Sequence, residues 1–185
     1  MSAARRLAVV RHAPTDVAGR CVGRTDVEAT MPHAEAAARA AERLAAAPDL
    51  GLVRVWASPL RRCAGLAAAL GERLGVPLTL DPRLAEIDHG TFEGRAYADL
   101  ERDEPAALAA WMSAWEHEGP PGGESARALG ARVGAWLDEL PPGGHLLVAH
   151  AGVARALRVR PGGASWADAM ARTVPHLCLD AVYGW

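Results

Sequence analysis

Lysine, asparagine and glutamine are absent from this chain, so all 20 of its basic residues are arginines. The 185 residues carry 22 acidic side chains against these arginines, which leaves a formal net charge of −2 at pH 7. This balance provides no general surface for a polyanion, so the sequence disfavours nucleic acid as a partner. An apolar content of 50% in a chain of this length predicts one domain with a substantial core, spanning residues 1–185.

Cysteine and long hydrophobic runs are also scarce. Cys21, Cys63 and Cys178 are far apart, odd in number and without a C-x-x-C pair, which indicates reduced thiols rather than disulfides or a zinc site. The apolar stretch at residues 7–10 is too short for a secretory signal, and no run approaches the roughly 20 apolar residues of a membrane span. We therefore expect a cytoplasmic protein without a membrane partner.

Metal-binding and nucleotide-binding motifs are missing as well. The sequence contains no H-E-x-x-H pair, no D-x-D-x-[DN]-G calcium loop and no P-loop. No motif in the sequence therefore indicates metal-assisted hydrolysis or nucleoside-triphosphate chemistry. We expect neither a metal nor another cofactor.

Short apolar runs alternate with helical patterns along the chain. Strands are predicted at residues 7–10, 52–57, 76–82, 145–150 and, as an edge strand, 176–185. Helices are predicted at residues 31–47, 58–74, 97–118, 124–140, 151–159 and 165–172. The first of these helices should stop at Pro48, and the second should begin with Ser58 as its N-cap and Pro59 at its first position. The alternation predicts an α/β fold with a mostly parallel sheet.

Polar side chains follow three of the predicted strands. Arg11 and His12 follow the first strand, residues 58–62 follow the second, and His150 ends the strand that begins at residue 145. Ligands bind outside the carboxyl ends of the strands in such sheets, so these side chains should meet at one edge. A guanidinium beside an imidazole favours a bound dianion and keeps the imidazole neutral, as a nucleophile requires.

Each candidate also has an ordinary structural interpretation. A lone histidine at a strand end is more often a hydrogen-bonded core residue, and arginines on a helix surface are usually solvated. Cations are unfavourable in the first turn of a helix, however, and Arg61 and Arg62 are expected there, so something negative should lie nearby. Glu86 precedes a loop that contains Gly90 and Gly94. It is either a surface charge or, if partly buried, a general acid.

Four segments together resemble the histidine phosphatase superfamily, also called phosphoglycerate mutase-like. In chain order they are R-H-A-P-T, S-P-L-R-R-C, L-A-E-I-D-H-G-T-F-E-G and V-A-H-A-G-V-A-R-A-L, and the resemblance covers about residues 7–157. It implies a three-layer α/β/α sandwich and a metal-independent, acid phosphatase-type phosphomonoesterase. It also implies roles for five residues: His12 as the phosphorylated nucleophile, Glu86 as the proton donor, and Arg11, Arg62 and His150 as phosphate ligands.

The local match is best to the alpha-ribazole phosphatase branch of cobalamin biosynthesis. Residues 19–30 and 99–137 carry this likeness. It implies a small-molecule phosphomonoester as the partner, either alpha-ribazole 5′-phosphate or adenosylcobalamin 5′-phosphate. Trp111 and Trp115 lie in the second of these segments and are interpreted mainly as core residues. The oligomeric state is left open, with a homodimer as one alternative.

Several positions depart from the family pattern. Ala13 and Pro14 stand where the family has glycine and an acidic residue, Ala151 replaces a glycine, and Ala18 stands near a usual asparagine. An added methyl group would crowd the pocket wherever the backbone needs a glycine conformation. A non-catalytic phosphate-binding module therefore remains an alternative. A phosphoglycerate mutase-like phosphotransferase and a broad-specificity phosphatase are the others, but the short chain after the last predicted strand offers little for a lid, which favours a hydrolase over a mutase.

Overall fold

One five-stranded sheet forms the centre of the computed structural model, which describes residues 4–47 and 49–185. The strands are β1 (Arg5–Arg11), β2 (Leu52–Ala57), β3 (Leu78–Leu80), β4 (Gly143–Ala149) and β5 (Leu179–Gly184). Their order is β3-β2-β4-β1-β5. The first four strands in this order are parallel, and β5 runs antiparallel to β1 at the sheet edge. The predicted mostly parallel α/β fold is confirmed.

Helices follow most of the strands. They are α1 (His33–Ala45), α2 (Arg61–Leu74), α3 (Tyr97–Asp103), α4 (Pro105–Ala114), α5 (Ala126–Asp138), α6 (Ala151–Val159) and α7 (Trp166–Ala171), with short 3-10 turns at Pro82–Leu84 and Gly90–Phe92. Within the described ranges, none of these helices combines the length and apolarity that a bilayer crossing needs. The predicted stop of α1 at Pro48 lies outside the described residues.

Two apolar cores lie on opposite faces of the sheet, because successive side chains of a strand point to opposite sides. Along β1, Leu7 and Val9 belong to the core that α5, α6 and α7 cover. Ala8 and Val10 belong to the core under α1 and α2. The central strand β4 alternates in the same way. The chain is therefore the three-layer α/β/α sandwich that the sequence predicted.

Two predicted helices differ from the structure by more than two residues at an end or in the middle. The helix predicted at residues 97–118 is two helices, because Pro105 starts a new one and the residue before a proline avoids helical geometry. Glu104 accordingly has φ −137° and ψ 47°. The second helix begins at Arg61 rather than at Ser58, and its N-cap is Leu60 without a side-chain hydrogen bond. Ser58 is fully buried; its Oγ lies 2.8 Å from His150 Nε2 and accepts the N–H of Leu60 over 3.2 Å.

Candidate active site

Three strands end side by side and place His12, Ser58 and His150 at one edge of the sheet. The strand register pairs Arg11 of β1 with Ala149 of β4, and the His12 N–H donates to the Ala149 carbonyl over 3.0 Å. The two strands thereby bring the rings of His12 and His150 edge to face, with centroids 5.2 Å apart. The predicted convergence at the carboxyl ends of the strands is present.

The ring of His12 has a defined tautomer. Its Nδ1 lies 2.6 Å from the Ala13 carbonyl oxygen, which can only accept, so Nδ1 carries the hydrogen and Nε2 keeps its lone pair. Burial lowers the pKa of His12 to about 3 against the opposing effect of this hydrogen bond, and Arg62 and Arg11 lower it further. The imidazole is therefore neutral near pH 7, as a nucleophile must be.

Arg62 is buried and held by a loop from the N-terminal part of the chain. Its Nη1 donates to the Thr25 carbonyl over 2.9 Å, and its Nη2 donates to the Gly23 carbonyl over 2.7 Å. The loop is held in turn by the Glu93 carboxylate, which accepts the N–H groups of Gly23, Arg24 and Thr25. A fixed guanidinium of this kind can bind phosphate without first being ordered.

The neighbouring arginine has a different environment. Arg61 is exposed and forms ion pairs with Asp26 and Glu28, over 3.1 and 2.7 Å. These carboxylates are the negative groups expected near the first turn of α2. They leave Arg62, and not Arg61, as the pocket arginine, in agreement with the resemblance.

Arg11 is anchored at one end of its side chain only. Its Nη1 donates to the Val174 carbonyl over 2.7 Å, whereas its Nε is buried without a hydrogen-bond partner among residues 4–47 and 49–185. Burial lowers the pKa of Arg11, an effect that Glu86 opposes and that the nearby Arg155 and Arg62 reinforce. A half-buried guanidinium with an unpartnered N–H group can bind an anion.

Glu86 lies against the N-terminus of α6. Its Oε2 accepts the Gly152 N–H over 3.1 Å, and its Oε1 accepts the N–H of Ile87 over 2.9 Å. A Cβ atom at position 152 would stand 2.2 Å from Oε1, so the glycine is what allows the carboxylate to sit there. The half-buried carboxyl group is thereby held at the border of the cavity.

One cavity of about 320 Å³ brings four of the five predicted residues together: Arg11, His12, Arg62 and Glu86 line it. His150 is buried beside His12 and is not among the lining residues; its Nε2 lies 2.8 Å from Ser58 Oγ. Two guanidinium groups, a neutral imidazole and a carboxyl group suit a phosphate dianion. The role of His150 as a phosphate ligand stays a prediction.

Sequence reasoning missed His176, which also lines this cavity. Its Nδ1 donates to the backbone carbonyl of His12 over 2.7 Å, and the two rings are 5.1 Å apart. The next residue, Leu177, has φ +55° and is the only non-glycine residue in the described ranges with a positive φ. No motif marks His176 in the sequence. Its position shows only when the segment after α7 folds back against β1.

The interpretation of Trp111 and Trp115 as core residues needs correction. Both are only half-buried, although each packs against an apolar cluster. They also line a second cavity beside the first, so part of each side chain faces open space rather than the protein interior. Helical spacing alone does not distinguish these two situations.

The unusual residues of the motifs fit without strain. Ala13 is fully buried and Ala151 begins α6, and neither has a positive φ, so neither backbone needs glycine. Pro14 lacks an N–H, but its carbonyl accepts the Thr30 N–H over 2.8 Å. Ala18 lines the cavity and offers no side-chain donor there.

In the described part of the chain, no three His, Cys, Asp or Glu side chains are grouped to hold a metal ion.

The family model of the histidine phosphatase superfamily (branch 1) matches residues 7–182. This chain belongs to that superfamily. The glucosyl-3-phosphoglycerate phosphatase of Mycobacterium tuberculosis is a relative of this chain. The two are 38% identical over 126 residues, which are 66% of this chain and 54% of that protein. This chain thus spans about half the length of the curated relatives it matches. The family predicted from the four motifs is confirmed.

Solved structures resemble this chain over almost its whole length. The alpha-ribazole phosphatase from Shigella flexneri superposes with a TM-score of 0.81 at 26% identity, covering 97% of this chain and 89% of that one. A mycobacterial glucosyl-3-phosphoglycerate phosphatase in complex with inorganic phosphate superposes with a TM-score of 0.76 at 32% identity, covering 93% and 86%. The fold is therefore shared with phosphatases of two different names.

Proposed function

We propose that this histidine phosphatase hydrolyses phosphomonoesters through a phosphohistidine intermediate on His12. The observation that carries the proposal is the hydrogen bond from His12 Nδ1 to the Ala13 carbonyl. It leaves Nε2 unprotonated in a cavity that Arg11, Arg62 and Glu86 also line. Phosphoryl transfer needs an in-line nucleophile, charge stabilisation on the phosphoryl oxygens and a proton for the leaving group, and these residues supply all three.

The reaction proceeds in two steps. In the first, His12 Nε2 attacks phosphorus, the ester P–O bond breaks, and protonated Glu86 gives its proton to the leaving alkoxide. Arg11, Arg62 and His150 hold the other phosphoryl oxygens. In the second, the Glu86 carboxylate takes a proton from water, whose oxygen attacks the phosphohistidine. Inorganic phosphate leaves, and His12 returns to its neutral form.

Two named substrates stand behind this general proposal. Alpha-ribazole 5′-phosphate, or its adenosylcobalamin counterpart, is supported by the sequence resemblance and by the likeness to the Shigella structure. Glucosyl-3-phosphoglycerate is the second candidate, supported by the 38% identity to the M. tuberculosis phosphatase. In either case we propose a small molecule as the partner, neither nucleic acid nor membrane, and a cytoplasmic reaction.

A phosphomonoester panel on the wild type and on His12→Ala tests the proposal. The panel contains 4-nitrophenyl phosphate, 3-phosphoglycerate with a bisphosphate primer, and the candidate substrates above. The wild type should hydrolyse at least one ester and give an acid-labile phosphoenzyme in rapid-quench experiments. His12→Ala should lose both, with the rate falling by about a thousandfold or more. His117→Ala, a matched change at an exposed histidine outside the cavity, should change neither.

Three results would contradict the proposal. Hydrolysis by His12→Ala within tenfold of the wild type would remove His12 as the nucleophile. Binding of phosphate or vanadate with no hydrolysis of any ester would establish the binding module instead. Rapid isomerisation of 3-phosphoglycerate would establish the mutase.

A further inference from the structure

The cavity that Arg11, His12, Arg62 and Glu86 line is called the phosphate cavity below. A second cavity, of about 410 Å³, adjoins it and shares Val22 and Glu86 with it. A general acid must lie within hydrogen-bond reach of the oxygen it protonates. If Glu86 protonates the leaving alkoxide, the second cavity is where the alcohol part of the substrate lies. The inference that follows therefore rests on the proposed function and concerns what that alcohol must be.

Most of this alcohol cavity is apolar. Three tryptophans line it: Trp111 and Trp115 from α4 and its C-cap, and Trp166 from the start of α7. Large apolar side chains that are unusually exposed also line it, namely Tyr97 (37%), Met112 (59%) and Met170 (42%). Exposed apolar side chains gathered at a cavity indicate a ligand with an apolar or planar body.

One cation stands in this apolar wall. Arg155, on α6, lines the cavity, and its Nε is buried with no hydrogen-bond partner among the residues that the structure describes. Burial lowers the pKa of Arg155, and Glu86 is the nearby charge that opposes this most. The ion pairs formed in the described ranges nevertheless leave Arg155 out, so Glu86 lies beyond 4 Å from its guanidinium.

The charges at the two cavities do not balance during the proposed reaction. Four arginines line the two cavities, namely Arg11, Arg20, Arg62 and Arg155, and Glu86 is the one carboxylate in their linings. Arg20 is exposed and donates to the Gly94 carbonyl, so the buried or half-buried cations are the other three. A phosphate dianion neutralises Arg11 and Arg62. When Glu86 is protonated to act as the acid, the carboxylate that still acts on half-buried Arg155 is Asp180, which is already paired with Arg158. Leaving a half-buried cation without a counter-ion of its own is unfavourable. A carboxylate matches the fork geometry of a free guanidinium and can accept two parallel hydrogen bonds from it.

We propose that Arg155 selects phosphomonoesters whose alcohol carries a carboxylate. Such a substrate has a phosphate dianion and a carboxylate joined by an apolar or planar body. Its phosphate lies beside His12, its body packs against the tryptophans, and its carboxylate binds Arg155. Arg155 thus acts in specificity and not in the chemical steps.

A matched pair of esters tests this role. In 4-carboxyphenyl phosphate, an aromatic ring joins the phosphate to a carboxylate, and 4-carbamoylphenyl phosphate has the same shape without the charge. The quantity compared is the ratio of kcat/KM for the two esters, measured on one preparation, so that any inactive fraction cancels. The wild type should prefer the carboxylate by about 10- to 100-fold, the range of a charge-assisted pair.

Variants at Arg155 should change that ratio in a graded way. Arg155→Met should bring it close to one, mainly through a higher KM for the carboxylate ester. Arg155→Lys should keep part of the preference. Arg172→Met removes an equivalent charge from an exposed position and should leave the ratio at the wild-type value.

The outcomes separate this inference from the proposed function. If the wild type hydrolyses neither these esters nor any in the panel, the phosphatase proposal fails, and this inference fails with it. If it hydrolyses both esters with equal kcat/KM, or if the preference survives in Arg155→Met, the selectivity proposal is wrong while the phosphatase proposal stands.

Discussion

His12 stays neutral because of where it lies, and not because of the pH of the solution. An ordinary histidine with a pKa near 6.5 is almost fully protonated at pH 5. Burial beside Arg11 and Arg62 lowers the pKa of His12 to about 3 instead. The neutral imidazole that the proposed nucleophilic role requires is therefore present from pH 5 to pH 8.

This residue-scale property predicts a flat pH profile for the first chemical step. With an activated aryl phosphate, whose leaving group needs no proton, the rate of phosphoenzyme formation should vary by less than about threefold between pH 5 and pH 8. An imidazole of ordinary pKa would slow it by roughly 30-fold at pH 5. Rapid-quench measurements across this range test the prediction. If the logarithm of the rate rose with a slope of one against pH and levelled off near pH 6.5, His12 would titrate like an ordinary histidine.

Sequence reasoning worked best for site residues that belong to a local pattern. Arg11, His12 and Arg62 follow strands that are themselves easy to predict, so their meeting at the sheet edge could be expected. Arg155 and His176 could not be singled out in this way. The importance of Arg155 depends on the partners it lacks, and that of His176 on a chain segment that folds back 164 residues after His12.

At the scale of the element, the first turn of α6 holds the candidate acid in place. The Gly152 N–H donates to Glu86, and a methyl group at Gly152 would overlap its Oε1. In Gly152→Ala, Glu86 must move away from the position from which it would protonate the leaving group in the proposed reaction. The glycine has this requirement although its own φ is not positive.

We expect Gly152→Ala to lower kcat for phenyl phosphate by about 10- to 100-fold, part of the contribution of a general acid. The loss should be smaller for 4-nitrophenyl phosphate, because its leaving group needs less help from an acid. Ala151→Gly, a change in the same helical turn that adds no atom, serves as the control. Equal losses for the two esters would indicate a general disturbance of the site rather than displacement of Glu86.

The loop that holds Arg62 depends on Glu93. Burial acts to raise the pKa of Glu93, but hydrogen bonds from Thr25 Oγ1 and from the backbone N–H groups of His89 and Arg24 outweigh it, so the pKa is lowered. A carboxylate with a lowered pKa stabilises the fold above its unfolded pKa. This stability is lost as the pH falls through the folded pKa.

Glu93→Gln should therefore weaken phosphate binding about tenfold at pH 7 and destabilise the fold by roughly 1.5–3 kcal/mol, the range for hydrogen bonds to a charged group. Calorimetric titration with inorganic phosphate and urea unfolding measure the two effects. Glu118→Gln, at an exposed carboxylate, is the control. If Glu93→Gln bound phosphate like the wild type, the loop would not be what positions Arg62.

Elements were predictable where their ends coincide with a clear change in composition. The predicted strand at residues 52–57 and helix at residues 151–159 agree with β2 and α6 residue by residue. The helix predicted at residues 97–118 failed because its apolar spacing continues across Pro105. The predicted start of α2 at Ser58 was wrong because the backbone is still extended at Leu60. The Ser58 Oγ contacts both the Leu60 N–H and His150, and His150 lies 92 residues away.

At the scale of the whole molecule, buried neutral histidines make the fold sensitive to acid. Burial lowers the pKa values of His12, His145, His150 and His176. Between pH 6.5 and the folded pKa, the unfolded chain therefore binds protons that the folded protein does not. Stability is full above about pH 6.5 and falls as the pH decreases below it.

For His12 alone, this linkage amounts to about 2 kcal/mol of unfolding free energy lost between pH 8 and pH 5. Urea unfolding of the wild type at these two pH values should show a loss at least as large. In His12→Asn the loss should be smaller by about 2 kcal/mol. The same pH dependence in both proteins would mean that His12 is protonated in the folded state at pH 5.

The architecture was predictable because alternating strands and helices with buried β-branched runs leave few arrangements open. What the sequence could not supply is the shape of the space between layers and loops. The alcohol cavity arises where α3 and α4 stand away from the main sheet, and its tryptophans have the same spacing as core residues.

The helices α3 and α4 rest on a small apolar cluster of their own, which contains Cys21, Phe92, Leu100 and Leu108. His12 and His150, in contrast, directly follow β1 and β4, which are paired inner strands of the sheet. Small, separate clusters open at lower free energies than central strands. On warming, the wall that carries Trp111 should loosen first, so that the protein becomes a less discriminating catalyst before it becomes an inactive one.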